Sequence, residues 1–261
     1  MSGGSWMLHL DVALDEANRH WSVLEAAGMV GAAEVDGRTT VYFTARPDDL
    51  PLDGRWEHVP DRDWHARWRD GLTPVRAGRW TVTPTWLATG AVDELIIDPG
   101  QAFGTGHHET TTGCLEVLDQ IALDGRTVLD VGTGSGVLGI AAARRGATVT
   151  AVDIDPLATS AAAANAARND VRLTIVTGSI EAVAGQTYDV VVANLDSATV
   201  ISSAARLAAA VAPGGELIVS GVGNERSDEV RAALEEVGLQ MTATPGREWT
   251  LLRTAGHHDV E

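Results

Sequence analysis

The sequence predicts an α/β protein with a mostly parallel, doubly wound sheet and a small α+β domain ahead of it. Two observations carry this prediction: an alternation of strand-like and helix-like stretches from residue 127 onward, and a polar break at 46–54, with Pro47, Pro51 and Gly54, that sets off the first part of the chain. A third observation is a glycine-rich turn between the first strand and first helix of the alternating part, which is either a plain tight turn or the place where such a sheet binds a ligand.

The small domain is expected over 1–54. Its stretch 6–12 is rich in apolar residues, Asp15 is placed to cap a helix running to about Ala27 ahead of Gly28, and 39–44 is β-branched and aromatic. So short a segment buries a modest core. Residues 55–71 are expected to form a linker helix, opened by Pro60-Asp61 and ended by Gly71, in which Trp64 and Trp68 share a face. Such a pair is more often packing than ligand contact.

The remaining domain, 72–261, holds strand candidates at 127–131, 148–152, 171–176, 188–193 and 216–220. Helical stretches near 137–145, 156–168, 197–211 and 225–236 fall between or after them. That order implies right-handed crossovers and a sheet covered on both faces. Two last strand-like pieces, 238–243 and 248–253, have no helix between them and predict a hairpin at the sheet edge.

Composition narrows the chemistry. Asp plus Glu number 36 against 19 basic residues, for a formal net charge of −17, and every basic residue is arginine. Without lysine there is no Walker P-loop, no kinase strand lysine and no Schiff base for pyridoxal phosphate. The charge disfavours direct nucleic-acid binding, since affinity for a polyanion rests on neutralising phosphates, and it favours a basic protein partner. Cys114 is the only cysteine, which excludes an internal disulfide and fits a reducing compartment. Apolar runs fall far short of the ~18 residues that cross a bilayer, and no signal peptide is recognisable, so no membrane association and a cytoplasmic location are expected.

The turn reads Asp130-Val131-Gly132-Thr133-Gly134-Ser135-Gly136. Glycine lets the backbone bend sharply and lets a ligand approach without a Cβ in the way. Asp153 closes the second strand 21 residues after Gly132, where a carboxylate accepts hydrogen bonds from ribose hydroxyls. The dinucleotide pattern needs glycine at 137, which is Val137. Asp130 adds a carboxylate beside the turn, unsuited to pyrophosphate and suited to a nucleoside carrying an ammonium and a sulfonium. S-adenosylmethionine is such a ligand, and the turn resembles the first motif of class I methyltransferases.

The fourth strand ends in Val192-Ala193-Asn194-Leu195, which places Asn194 beside the glycine turn, although a capping or turn-forming role is the commoner one for asparagine. The aromatic and prolines that follow this asparagine in enzymes methylating flipped bases are absent. Upstream, Asp98-Pro99-Gly100-Gln101-Ala102-Phe103-Gly104-Thr105-Gly106-His107-His108-Glu109-Thr110-Thr111 reads as a ligand-covering loop entering a helix. Adjacent His107 and His108 lack the spacing of a zinc helix, and no metal site is expected.

These blocks, with Asp153-Ile154-Asp155-Pro156, resemble in order and spacing the ribosomal protein L-eleven methyltransferase family, often called PrmA. The likeness is strong over 98–223 and weaker before Trp56. It implies a Rossmann-like class I methyltransferase domain and transfer of methyl groups from S-adenosylmethionine, leaving S-adenosylhomocysteine, to lysine side chains and the N-terminal α-amine of a basic large-subunit ribosomal protein. It further implies that Thr111, Gly132, Asp153 and Asn194 hold the cofactor, with Gly134 of the turn and Phe103 of the covering loop completing the site. Asn194 and the Leu195 carbonyl are the expected acceptors that orient the amine. His108 either lines the amine or is plain loop structure. The small N-terminal domain, shorter than in longer members, is expected to recognise the substrate. Other readings are a methyltransferase of another basic protein or a small amine, and a non-catalytic cofactor-binding module.

Overall fold

The computed structural model describes residues 4–12, 23–24, 27–35, 37–47, 50, 52–60, 73–98 and 108–254. The chain divides into two compact units, Met1–Leu72 and Thr73–Glu261.

The first unit is built on a four-stranded antiparallel sheet in the order β2-β3-β1-β4, with β1 at Gly4–Leu10, β2 at Met29–Val35, β3 at Arg38–Phe43 and β4 at Arg55–Pro60. Strand β3 alternates exposed and buried positions, as a half-buried strand of β-branched and aromatic residues must. Its Val41 and Phe43 join Leu8, Leu10 and Leu24 in the small core. Of the helix expected over 15–27, Val23 and Leu24 are helical, and most of the rest lies outside the described residues.

One expectation for this unit is corrected, and one strand is added. Residues 55–60, assigned to a linker helix, form an edge strand that pairs with β1 from His9↔Arg55 to Gly4↔Pro60. The physical reason is the period-two pattern Trp56, His58 against Arg55, Glu57, which sends Trp56 onto Phe43 with ring centroids 5.4 Å apart. Strand β2 was not expected, because Gly31, Ala32 and Ala33 carry little strand signal, and it is fixed by pairing with β3. Trp64 and Trp68 lie outside the described residues.

The second unit opens with a three-stranded sheet of β5 (Val75–Ala77), β6 (Trp80–Thr83) and β7 (Glu94–Ile96). Helix α1 (Glu109–Gln120) then leads into the large sheet. Its strands are β8 (Thr127–Val131), β9 (Thr148–Asp153), β10 (Thr174–Thr177), β11 (Tyr188–Asn194), β12 (Val211–Gly223), β13 (Met241–Pro245) and β14 (Trp249–Thr254). The connecting helices are α2 (Val137–Arg144), α3 (Pro156–Arg168), α4 (Ser197–Ala210) and α5 (Ser227–Glu236).

Strand order is β10-β9-β8-β11-β12-β14-β13, parallel from β10 to β12 and antiparallel in the closing hairpin. From β8 the chain winds outward to β10 and returns to β11 on the other side of β8, so the carboxyl ends of β8 and β11 form the switch point where ligands bind in such sheets. The sheet is buried on both faces by strict alternation. Val190 and Val192 pack with Leu115, Leu118 and Ile140 of α1 and α2, whereas Val191 and Ala193 pack with Val200 and Leu207 of α4 and Val230 and Leu234 of α5. Each such valine contributes ~1.5–3 kcal/mol of burial, which pins β11, and with it Asn194, at the sheet's centre.

Candidate active site

The glycine turn is held from behind by its own strand. The Val152 carbonyl accepts from Gly132 N at 2.9 Å and Thr133 N at 3.0 Å, tying the turn to β9. Asp130 Oδ2 accepts from Thr133 Oγ1 at 2.7 Å and from Gly139 N at 3.0 Å, tying it to α2. Asp130 is 1% exposed. Burial pushes its carboxyl up to about 6 against the pull of those two bonds. The expectation that this carboxylate faces a cationic ligand is therefore corrected: it is a buried clamp, because its short side chain ends within reach of the turn's hydroxyl and of Gly139 N in the first turn of α2.

Asp153, at the end of β9, accepts from Gly134 N at Oδ2 (2.9 Å) and from Asp155 N at Oδ1 (3.0 Å). Each carboxylate oxygen keeps acceptor capacity, so the pair could also accept from a vicinal diol. Next to it Ile154 is 75% exposed and Leu157 is 57% exposed. Two large apolar side chains left in water beside a diol acceptor suit a flat aromatic base. The sequence signal for them was present and overlooked: an isoleucine between two aspartates at a strand end has no core to enter.

Across the switch point, Asn194 Nδ2 donates to Thr111 Oγ1 at 3.3 Å, joining the end of β11 to the buried first turn of α1. Leu195 N donates to the Ser220 carbonyl at 3.0 Å, and Asp196 then caps α4 through Thr199 N at 3.0 Å. Gly132, at φ +70°, faces Leu195 so closely that a Cβ there would lie 2.4 Å from Leu195 Cδ2. Thr111, Gly132, Gly134, Asp153, Asn194 and Leu195 thus lie on the contiguous carboxyl ends of β9, β8 and β11 and the start of α1.

His108 caps α1. Its Nδ1 accepts from Thr110 N at 3.4 Å and sits 2.8 Å from Thr110 Oγ1, and its ring meets Trp249 edge-on with centroids 5.1 Å apart. Phe103 and His107 lie outside the described residues. Asp98, the last described residue before them, is fixed by α3: Asn165 Oδ1 accepts from Asp98 N at 3.1 Å while its Nδ2 donates to the Ser135 carbonyl of the glycine turn at 2.9 Å. Asn165 was missed in the sequence, where one amide in an alanine-rich helix is the sole cue. Glu109, also missed, accepts from Arg247 N at 2.7 Å and so holds the closing hairpin's turn to α1. Among the described residues no cluster of metal-ligating side chains is found, and no helix is long and apolar enough to cross a membrane.

The donors and acceptors present fit a nucleoside: a diol acceptor, an apolar bed for a base, and a glycine cradle where side chains would intrude. Residues 15–255 match the family model for ribosomal protein L11 methyltransferase (PrmA). The chain is 40% identical to a ribosomal protein L11 methyltransferase of Thermus thermophilus, over 95% of this chain and 98% of that protein. It is 38% identical to that of Deinococcus radiodurans, over 95% and 97%. Among solved structures, a ribosomal protein L11 methylase of Lactobacillus delbrueckii subsp. bulgaricus superposes with a TM-score of 0.66 at 29% identity, covering 72% of this chain and all of that one. With its Rossmann-like class I methyltransferase sheet and its likeness to these enzymes over nearly its whole length, the chain belongs to the ribosomal protein L11 methyltransferase family.

Proposed function

We propose that this chain methylates amino groups of ribosomal protein L11, lysine side chains and the N-terminal α-amine, with S-adenosylmethionine as donor and S-adenosylhomocysteine as product. The observation that carries the reading is the pairing of Asn194 with Thr111 directly across from the Gly132 turn and Asp153. Asp153 would hold the ribose, Ile154 and Leu157 the base, and the Gly132 to Gly136 turn the chain between base and sulfonium, with Phe103 covering the bound donor. When bound, the donor supplies a methyl group whose bond to sulfur breaks, its electron pair staying on sulfur, as the amine nitrogen forms its new bond to carbon.

The protein's part is positioning. A lysine near pKa ~10.4 loses a proton before it can attack. The neutral amine then donates its hydrogens to Asn194 Oδ1 and the Leu195 carbonyl, which leaves the lone pair pointing along the transfer axis. His108, beside Trp249, lines the approach of that amine. The unit Met1–Leu72 recognises the substrate protein, whose basic surface is complementary to a chain of charge −17. The same charge argues against direct nucleic-acid binding, and the reading places the enzyme in the cytoplasm with its substrate.

The test is transfer of labelled methyl groups to ribosomal proteins from a strain lacking the enzyme. Label confined to L11 supports the reading, with association slowing as salt shortens the ~8–10 Å screening length. Label on small amines with none on L11 sinks it.

A further inference from the structure

We propose that Gly221 is a positioning residue for methyl transfer, setting the Leu195 carbonyl and the Asn194 amide where they meet the amine. The inference rests on the proposed role of those two acceptors and adds the element that places them. Strand β12 pairs with β11 up to Asn194↔Ser220, but its register with β14 shifts between Val219 and Val222. Gly221 sits in that bulge at φ +83°. A Cβ on Gly221 would lie 2.4 Å from the Leu195 carbonyl oxygen, 2.9 Å from its carbon and 3.1 Å from Asn194 Oδ1. These first two contacts are backbone, which cannot swing aside as a side-chain tip does.

Leu195 is therefore held between two glycines. Its side chain rests on Gly132 at the end of β8, and its carbonyl rests over Gly221. Bulges recur beside active sites because they re-aim the neighbouring strand, and here the bulge makes room for the Leu195 peptide in one orientation. A methyl at 221 must push that peptide away from β12, taking the carbonyl and the adjoining amide with it. The ribose side of the site, on β9, shares no atom with this contact, so donor binding is expected to stay nearly intact.

Two substitutions separate room from backbone strain. Both Gly221→Ala and Gly221→Asn add the colliding Cβ, but asparagine tolerates positive φ and relieves the conformational part. The expected result is a fall in kcat of about 100-fold in both variants, with the KM for L11 and the Kd for S-adenosylmethionine changed by less than about 3-fold. Gly223→Ala is the control in the same strand, since the three atoms nearest its Cβ would all belong to the flexible Glu225 carboxylate, and it keeps wild-type turnover. Recovery of turnover by Gly221→Asn overturns the proposal by reducing Gly221 to a backbone requirement. Loss of donor affinity in step with kcat overturns it as well, since that marks general structural damage. Wild-type enzyme inactive on L11 refutes the proposed function instead, whatever the variants do.

Discussion

The two sides of the switch point are built differently. On the β8 and β9 side the polar groups are already committed to one another: Asp130 clamps Thr133 and Gly139, and both oxygens of Asp153 accept from backbone N–H groups. On the β11 side Asn194 makes one long bond, to Thr111 at 3.3 Å, and Leu195 is placed by the two glycines it packs against. A donor site shared by every turnover is served by a hydrogen-bonded frame that exists before the ligand arrives. An acceptor site needs unsatisfied carbonyl and amide oxygens, which must be held by shape, because any bond that fixed them would also occupy them.

The largest expected effect follows from that difference. Asn194→Ala removes an oxygen that matters most in the transition state, so turnover on L11 falls about 100-fold while the Kd for S-adenosylmethionine moves by less than about 3-fold. Single-turnover methylation beside calorimetry reads both. Equal losses in the two would mean that the sides are not separable and that Asn194 serves the donor alone.

Asp153→Ala is the mirror experiment. Losing an acceptor to both ribose hydroxyls weakens donor binding by ~1.5–3 kcal/mol, about 10- to 150-fold in Kd, and turnover at saturating donor recovers toward wild type. Unchanged affinity would make Asp153 a brace for Gly134 and nothing more.

What the sequence made legible tracks the same divide. The strands and helices of the large sheet and the Gly132 to Asp153 spacing were readable because close-packed parallel strands demand apolar runs and a ligand-bearing turn demands glycine. Contacts between distant segments were not. Nothing local to Gly221 says that Leu195 lies above it, and the bulge that brings them together exists only once β12 has paired on both sides. The strand at 55–60 was lost for a related reason, since Pro60-Asp61 reads as a helix start and the pairing with β1 lies some fifty residues away in the chain. Asp130 was misjudged in the opposite direction, its charge being visible and its burial not.

Asn165→Ala tests whether the donor frame extends to Asp98, where the segment expected to cover the donor begins. Its amide bonds both Asp98 N and the Ser135 carbonyl and is 1% exposed, so removal takes a partner from each of them and empties a buried position. Unfolding is expected to become easier by ~1–3 kcal/mol, lowering Tm by about 2–4 °C for each kcal/mol, with a smaller loss of donor affinity than Asp153→Ala gives. A variant as stable as wild type would show that the turn and the loop root are held independently.

The smallest effect on catalysis is expected from Asp130→Asn, and it is the sharpest test of what that carboxylate is for. Both of its hydrogen bonds fall on Oδ2, which an asparagine carbonyl reproduces, so turnover and donor affinity should change by less than about 3-fold. Stability should respond through pH instead. Burial raises the folded carboxyl to about 6 from an ordinary value of 3.8. A raised folded value means that the stability contributed by the protonated group is complete below pH ~4 and is lost as pH rises through about 6. The asparagine variant cannot titrate there, so its stability relative to wild type should rise across that interval. Urea titrations of both proteins at pH 4, 5, 6 and 7 read the difference directly, with the other carboxylates cancelling between them. A gap that does not widen with pH would count against the buried clamp and return Asp130 to the ligand-directed role that its place beside the turn suggests. A large loss of donor binding would do the same.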